Sequence, residues 1–370
     1  MTSWCHPMTH SGTSEGLALV VIAHDGGELL LDCLRAALRE LRTLPQPSRM
    51  IVVDNASTDA TAARVRGEFP QIQLIETGRN AGYAGGTELA RRQLASPGSE
   101  PEWFAVINQD VILESGSVVE LINALQRDPG LAAVQPVFDM WPGSDAARLG
   151  TLAWHFAGYG VYGLPDGVAT RPSGLARPVP LDVTALSGAV VFARWQALQR
   201  LGGLFRPEFQ MYCEDAEFSL RARLAGWRLG VVPSARARHL RTGDGAARWY
   251  ETLERNRLSL LWTHYRWKTL LVLAPALVAL EVGQWLERAF KGQATRRWSV
   301  WRSLFSSEWR RHLTRWRRES CALRSVSDRA VLCRSVTAIP ASQANSPLLQ
   351  AVGNPWFTLW WRIVQWLPGW

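Results

Sequence analysis

Met50-Ile51-Val52-Val53-Asp54-Asn55-Ala56-Ser57-Thr58-Asp59 sets an apolar run directly against a polar turn. The run is long enough for a strand buried on both faces, and the Asn, Ser, Thr and Asp residues after it suit a turn into a helix. In an open α/β sheet, ligands collect outside the carboxyl ends of the strands. Asp54 is therefore a candidate binding residue, with Asn55 beside it. The competing reading is a helix N-cap shared with Ser57 and Thr58.

The same grammar recurs on either side. Trp103-Phe104-Ala105-Val106-Ile107-Asn108-Gln109-Asp110 is again an apolar run ending in a carboxylate, which puts Asp110 at a second strand end; a plain turn is the alternative. Between the two lies Gly78-Arg79-Asn80-Ala81-Gly82-Tyr83-Ala84-Gly85-Gly86, a glycine-rich loop before a helical stretch at 87–94. Upstream, 17–23 reads as a strand and 28–41 as an amphipathic helix. Further strands are expected at 72–75, 104–107 and 227–232. Alternating strands and helices predict a mainly parallel sheet covered by helices on both faces. From Pro136 to about Pro180 the pattern breaks, which predicts loops or an insertion, and regularity returns at 182–193.

Farther along, Glu214 and Asp215 are adjacent in Phe209-Gln210-Met211-Tyr212-Cys213-Glu214-Asp215-Ala216-Glu217, and His239 follows the late strand. Adjacent carboxylates repel, so burying both is unfavourable unless a cation, a donor or a substrate hydroxyl compensates. The bland alternative is a helix whose first turn is acidic because its dipole favours it. For Glu217, pairing with Arg221 at i,i+4 is expected. His239, flanked by Arg238, could equally be a surface residue.

The order of these pieces, with Ser187-Gly188-Ala189 between the second carboxylate strand and the Glu-Asp pair, resembles the inverting family 2 glycosyltransferases of GT-A fold, and among them the bacterial rhamnosyltransferase and galactofuranosyltransferase branch. The resemblance runs from Leu17 to His239. It implies a Rossmann-like sheet, a nucleotide-sugar donor and a divalent cation, Mg or Mn, on the leaving diphosphate. By this resemblance Asp110 and His239 are the metal ligands and Asp215 is the general base, with Glu214 orienting base or acceptor. His24, Asp54, Asn55, Arg79, Asn80, Gly82, Gly85, Gly86 and Asn108 are the donor-binding residues. Two positions depart from the family pattern: Asn108 stands where many relatives carry an Asp, and His24 where they carry a Tyr. The implied reaction moves rhamnose from dTDP-rhamnose to a hydroxyl of a cell-surface glycan or lipid-linked acceptor with inversion. UDP-galactofuranose is the alternative donor; a non-catalytic sugar-nucleotide-binding protein or a membrane adaptor is the alternative class.

Composition fills in the rest. The chain has 370 residues, 47% of them hydrophobic, and a net charge of +9. Its five cysteines include no Cys-x-x-Cys pair, which points away from a disulfide framework or a structural zinc. No signal-peptide pattern precedes Leu17, so 1–16 is expected to be a loose tail, 17–245 the GT-A domain and 246–370 a helical region. Between 286 and 334 thirteen Lys and Arg face four acids, a local excess equal to the whole chain's net charge. The apolar run at 270–280 spans only about 18 Å at ~1.5 Å per residue, against a hydrocarbon core of about 30 Å. An interfacial or hairpin-like segment is therefore expected. Trp298, Trp301, Trp309 and Trp316 interleave the basic stretch, and Trp356, Trp360, Trp361, Trp366 and Trp370 crowd the C-terminus. Arg and Trp together suit the headgroup zone of an anionic membrane. The competing reading is a helical unit packed on the catalytic part with a solvated Arg face. No nucleic-acid-binding signature is present, and a peripheral location at the cytoplasmic face of the cell membrane is expected.

Overall fold

The computed structural model describes residues 16–96, 98, 100–140, 152–162, 180–240, 248–341, 343, 344 and 346–370. The expected tail lies almost wholly outside these residues. Strand β1 (Leu17–Ala23) pairs in parallel with β2 (Ser48–Asp54) and with β4 (Trp103–Asn108), and β2 pairs in parallel with β3 (Gln73–Glu76). The sheet continues through β10 (Val190–Arg194), β6 (Leu131–Met140), β11 (Arg228–His239) and β5 (Val111–Leu113), with β9 (Leu181–Asp182) alongside β11. β10 runs antiparallel to both β4 and β6, and β5 runs antiparallel to β11. The result is the mixed, mostly parallel sheet that the alternation predicts.

Period-two alternation divides the core. In β1, Leu17, Leu19, Val21 and Ala23 face a layer formed by α1 (Gly27–Leu41) and α4 (Ser117–Arg127), while Ala18, Val20 and Ile22 face Trp195, Phe205 and Phe218 on the other side. All seven residues of β1 are buried, as a strand covered on both faces requires. α2 (Thr61–Glu68), α3 (Gly82–Gln93), α5 (Trp195–Leu201) and α6 (Glu214–Leu224) complete the helices of the sheet.

The pattern break expected from Pro136 is corrected in part. β6 continues through Pro136 to Met140, and β7 (Leu152–His155) and β8 (Tyr159–Tyr162) form a hairpin; 141–151 and 163–179 lie outside the described residues. Pro136 lacks an N–H, and it sits where the pairing with β11 jumps from Val232 to Arg236. A proline is tolerated in a strand at such an irregularity, where a ladder bond is already missing.

Beyond β11 the described residues form mainly helices: α7 (Tyr250–His264), α8 (Trp267–Phe290), α9 (Ala294–Leu304), α10 (Ser307–Leu323), α11 (Asp328–Leu332) and α12 (Asn354–Trp366). α7 packs on α9, α10 and α6, and α12 packs on α8. Two expectations change here. The segment at 270–280 is neither short nor a hairpin, because it lies inside one continuous helix of 24 residues with Pro275 in its interior. Trp309 and Trp316 are core residues rather than headgroup anchors: both are buried, with the Arg255 guanidinium 3.9 Å over Trp309 and that of Arg206 5.2 Å over Trp316. Trp361 and Trp370 are buried as well, whereas Trp298 and Trp366 stay exposed.

Candidate active site

The turn after β2 is built by side chains folding back on the backbone. Asp54 Oδ1 accepts from Ser57 N at 3.1 Å and from the Ser57 hydroxyl, so the capping geometry is realised while Asp54 remains at the strand's carboxyl end. Asn55 is buried and spends its carboxamide on the next loop. Its Nδ2 donates to Asn80 Oδ1 (3.0 Å) and Gly82 O (3.1 Å), and its Oδ1 accepts from Ala81 N (2.8 Å). Asn80 Oδ1 also accepts from Gly82 N at 2.9 Å. Both asparagines therefore shape the loop, and Arg79 stands exposed on it.

Glycine at 82 is dictated by a close approach. Its φ is +73°, and a Cβ there would lie 2.5–2.8 Å from backbone atoms of Gln210. Ala84 N donates to Gln210 O at 3.0 Å, which docks the start of α3 on the segment before α6. Gly86 presses on Ile22 and Val53 beneath it, and Gly85 on Ala81.

At the ends of β1 and β4, Gln109 forms a reciprocal clamp: His24 N donates to Gln109 Oε1 (2.8 Å) and Gln109 Nε2 donates to His24 O (3.0 Å). The His24 ring stays half-exposed at the sheet edge. Asp25 caps the neighbouring turn, accepting from Thr58 N at 2.7 Å, and this bond holds its carboxyl below the usual range. Neither Gln109 nor Asp25 stood out in the sequence, since each acts through partners far along the chain.

Gly188 is the hub between the two carboxylate groups. Its N–H donates to Asp215 Oδ2 at 2.8 Å, and its carbonyl accepts from the Tyr83 hydroxyl at 2.6 Å. One residue on, Ala189 O accepts from Asn108 N at 2.9 Å. The end of β4 that carries Asn108 and leads into Asp110 is thereby tied to the helix carrying Asp215. Tyr83 feels both ends: burial, then the charges of Glu214, Asp215 and Asp110, push its hydroxyl well above its ordinary pKa. Tyr83 is a site residue that sequence reasoning missed, although it lies inside the glycine-rich motif.

The acidic pair starts α6. Glu214 is buried and its Oε2 has no hydrogen-bond partner among the described residues, while Asp215 is partly exposed and its Oδ1 accepts from Ala216 N at 2.7 Å. Burial, reinforced by the charge of Asp215, drives the Glu214 carboxyl well above the usual range. Burial also raises Asp215, but the amides of Gly188 and Ala216 oppose the rise. The pair therefore favours one shared negative charge resting on Asp215. Glu217 points elsewhere. It is buried against Arg221 (2.9 Å), Arg206 (2.8 Å) and His264 (3.0 Å), the ion pair that its spacing predicts.

Asp110, in the turn after β4, and His239, at the end of β11, meet with His239 Nε2 3.2 Å from Asp110 Oδ1, both side chains partly open to solvent. Among the described residues, no group of three or more His, Cys, Asp and Glu could hold a metal. Two converging donors are still a fit for Mg²⁺ or Mn²⁺, which take few protein ligands when substrate phosphates and water supply the others.

A model of "Glycosyltransferase like family 2" matches residues 15–257. Over 209 residues the chain is 32% identical to an N-acetylglucosaminyl-diphospho-decaprenol L-rhamnosyltransferase of Mycobacterium tuberculosis, covering 52% of this chain and 67% of that protein. It is 25% identical over 194 residues to the O-antigen chain rhamnosyltransferase WbaN of Salmonella anatum, covering 52% of this chain and 57% of the relative. Among solved structures it resembles GalNAc-T7 with UDP, GalNAc and Mn²⁺ with a TM-score of 0.56, across 72% of this chain and 51% of that one, at 14% identity. That likeness shows a common fold, and this chain spans about half the length of the GalNAc-T7 chain. The chain belongs to glycosyltransferase family 2, as a transferase built on a GT-A fold.

Proposed function

We propose that the protein transfers rhamnose from dTDP-rhamnose to a hydroxyl of a cell-envelope glycan or lipid-linked acceptor, with inversion at the anomeric carbon. The observation that carries this reading is the Gly188 N–H on Asp215 Oδ2. It fixes a partly exposed carboxylate, with one oxygen edge oriented, on the same hub that ties down the end of β4 that carries Asn108 and leads into Asp110. In a single displacement the acceptor hydroxyl attacks from the face opposite the nucleotide and loses its proton to a positioned base. Asp215 is that base. Its raised pKa brings it nearer to the operating pH, which improves the match between the base and the hydroxyl it deprotonates.

Asp110 and His239 would hold the divalent cation, and that cation, when bound, neutralises charge growing on the leaving diphosphate. Asp54 and His24, at neighbouring strand ends, flank the place where base and ribose bind, and Arg79 reaches the diphosphate from the exposed loop. Asn55, Asn80 and the three glycines of α3 act by fixing that loop. Both rhamnosyltransferase relatives support the choice of sugar, and the name of the first makes an N-acetylglucosaminyl-diphospho-polyprenol the acceptor to try first.

The catalytic unit in this reading is 17–245, and 246–370 seats it on the inner face of the cell membrane. Support for the seat comes from α8, where Trp267, Leu271, Val278, Val282 and Leu286 are exposed along one stripe, and from α9, where exposed Trp298 and Arg302 share a face with Phe305 at the helix's C-cap. α8 is also long and apolar enough to cross a membrane by length and composition.

A thermal-shift screen of dTDP, UDP and GDP sugars with Mg²⁺ or Mn²⁺ tests the donor, because a ligand that binds only the native state raises its apparent stability by mass action. The reading requires dTDP-rhamnose to give the largest shift. A larger shift with UDP-galactofuranose would transfer the assignment to that donor.

A further inference from the structure

Asn256, in α7, has no exposed surface. Its Nδ2 faces three backbone carbonyls of the segment entering α6: Phe209 O at 2.7 Å, Tyr212 O at 2.8 Å and Met211 O at 3.2 Å. Its Oδ1 accepts from Arg255 Nη2 at 3.1 Å. One carboxamide thus organises a segment that lies far away in sequence and ends at Glu214 and Asp215.

That segment needs holding. Gln210, Tyr212 and Cys213 have φ values of +59°, +66° and +65°, although none is glycine. L-residues keep such conformations only where the surroundings over-determine them. From the nucleotide side, Ala84 N holds Gln210 O, and Gly82 leaves room for the contact. On the opposite side, Asn256 holds the carbonyls of Phe209, Met211 and Tyr212. Buried carbonyls left without donors are costly, so removing the carboxamide favours a rearranged segment. Since Cys213 is the residue preceding α6, any such rearrangement turns the first residues of that helix and moves Asp215 away from Gly188.

We infer that Asn256 is a positioning residue for Asp215: it sets the backbone path by which the proposed base meets the acceptor. The inference rests on the reading of Asp215 as base. It also makes α7 a working part of the active site, since the strained turn is gripped between α3 and α7.

The test uses the full chain with Asn256→Ala, Asn256→Ser, Asp215→Asn and the double variant Asn256→Ala/Asp215→Asn. Turnover is measured with dTDP-rhamnose, Mg²⁺ and a short-chain N-acetylglucosaminyl-diphospho-polyprenol, and amide hydrogen exchange is followed across 207–216. Asn256→Ala should lower kcat by roughly 10- to 100-fold, the scale of a misplaced catalytic group, with the donor KM changed less than about threefold. Exchange should rise at 209–213 while β1 and β4 stay protected. Serine keeps one donor, so Asn256→Ser should recover part of the rate. The double variant should be little slower than Asp215→Asn alone, because residues acting through one group are not additive. Wild-type kcat in folded Asn256→Ala, or multiplicative losses in the double variant, would overturn the inference. So would failure of both the Ala and Ser variants to fold, since Asn256 would then serve the fold alone. Near wild-type turnover by Asp215→Asn would instead remove the base, and the exchange data would then decide whether Asn256 holds the segment at all.

Discussion

His239 Nε2 lies 3.2 Å from Oδ1 of Asp110, although one residue ends β11 and the other sits in the turn after β4. The sheet brings them together: His239 pairs with Val111 across the antiparallel ladder of β11 and β5, and Leu240 N donates to Asp110 O at 2.8 Å. The pair is therefore held by backbone on both sides. Backbone restraint of that kind lowers the ordering cost of binding a ligand between the two side chains.

If this pair holds the cation, Asp110→Ala and His239→Ala should each weaken Mn²⁺-dependent donor binding while leaving the unliganded melting temperature within a few degrees. Calorimetric titration of the nucleotide diphosphate with and without Mn²⁺ reads the effect directly. Donor affinity that is indifferent to a chelator in the wild-type protein would end the metal assignment and hand the diphosphate to cationic side chains such as Arg79.

Asp215→Asn should bind donor normally and transfer sugar about 10²–10⁴-fold more slowly, the range for losing a general base. The pH profile carries a second signature. A raised carboxyl pKa means the base is protonated, and transfer lost, as pH falls through a value above the ordinary carboxylate range. The acidic limb of kcat/KM should therefore stand above the usual aspartate value near 3.9. A limb at or below that value would show that another group takes the proton.

Much of this site was legible because buried parallel strands announce themselves. β1 and β4 read as unbroken apolar runs, and the polar residues that close β2 and β4, Asp54 and Asn108, mark the sheet edge where ligands gather. What escaped was everything decided by long-range contact. Pro136 looked like the end of a strand because the bulge in β11 that excuses it lies almost a hundred residues later. Arg297 falls in the basic stretch read as a headgroup-facing or solvated surface, yet it is buried on Glu254 beside Arg257, and Trp309 and Trp316 of the same stretch are buried too. No local pattern distinguishes a solvated arginine from one whose carboxylate arrives on another helix.

That buried network should contribute to acid stability. Glu254 accepts from Arg257 (2.8 Å), Arg297 (2.7 Å) and Tyr159 (2.7 Å), and Glu281 joins both arginines. Burial works to raise the Glu254 carboxyl, but Arg257 and Arg297 outweigh it and hold the pKa at about 2, against 4.5 for the free group. A folded pKa below the unfolded one gives stability that is complete above about 4.5 and is lost as pH falls towards 2. The shift corresponds to on the order of 3 kcal/mol. Denaturation of the wild-type chain should accordingly ease between pH 4.5 and 2, and Glu254→Gln should be destabilised already at pH 7, where its arginines lose their main partner. Equal stability of the two proteins at pH 7 would show that Glu281 alone can hold both cations.

The exposed stripe of α8 can be tested without disturbing the fold. Leu271, Val278 and Phe290 are 72%, 59% and 88% exposed, so changing each to Glu should alter stability by no more than about 0.5 kcal/mol. Against vesicles carrying anionic lipid, the wild-type chain should bind through apolar burial plus roughly 1 kcal/mol per Lys or Arg held near the surface. Raising salt from 0.1 M to 1 M shortens the screening length from about 10 Å to about 3 Å, which removes the charge contribution and leaves the apolar one. The wild-type protein should therefore loosen in high salt without releasing fully, while the triple Glu variant should be released at either salt. Equal retention of both proteins would move the contact away from α8. If the wild-type chain ignores anionic vesicles at low salt, the stripe is no membrane surface, and the basic helices are simply packed on the catalytic unit with their arginines in solvent.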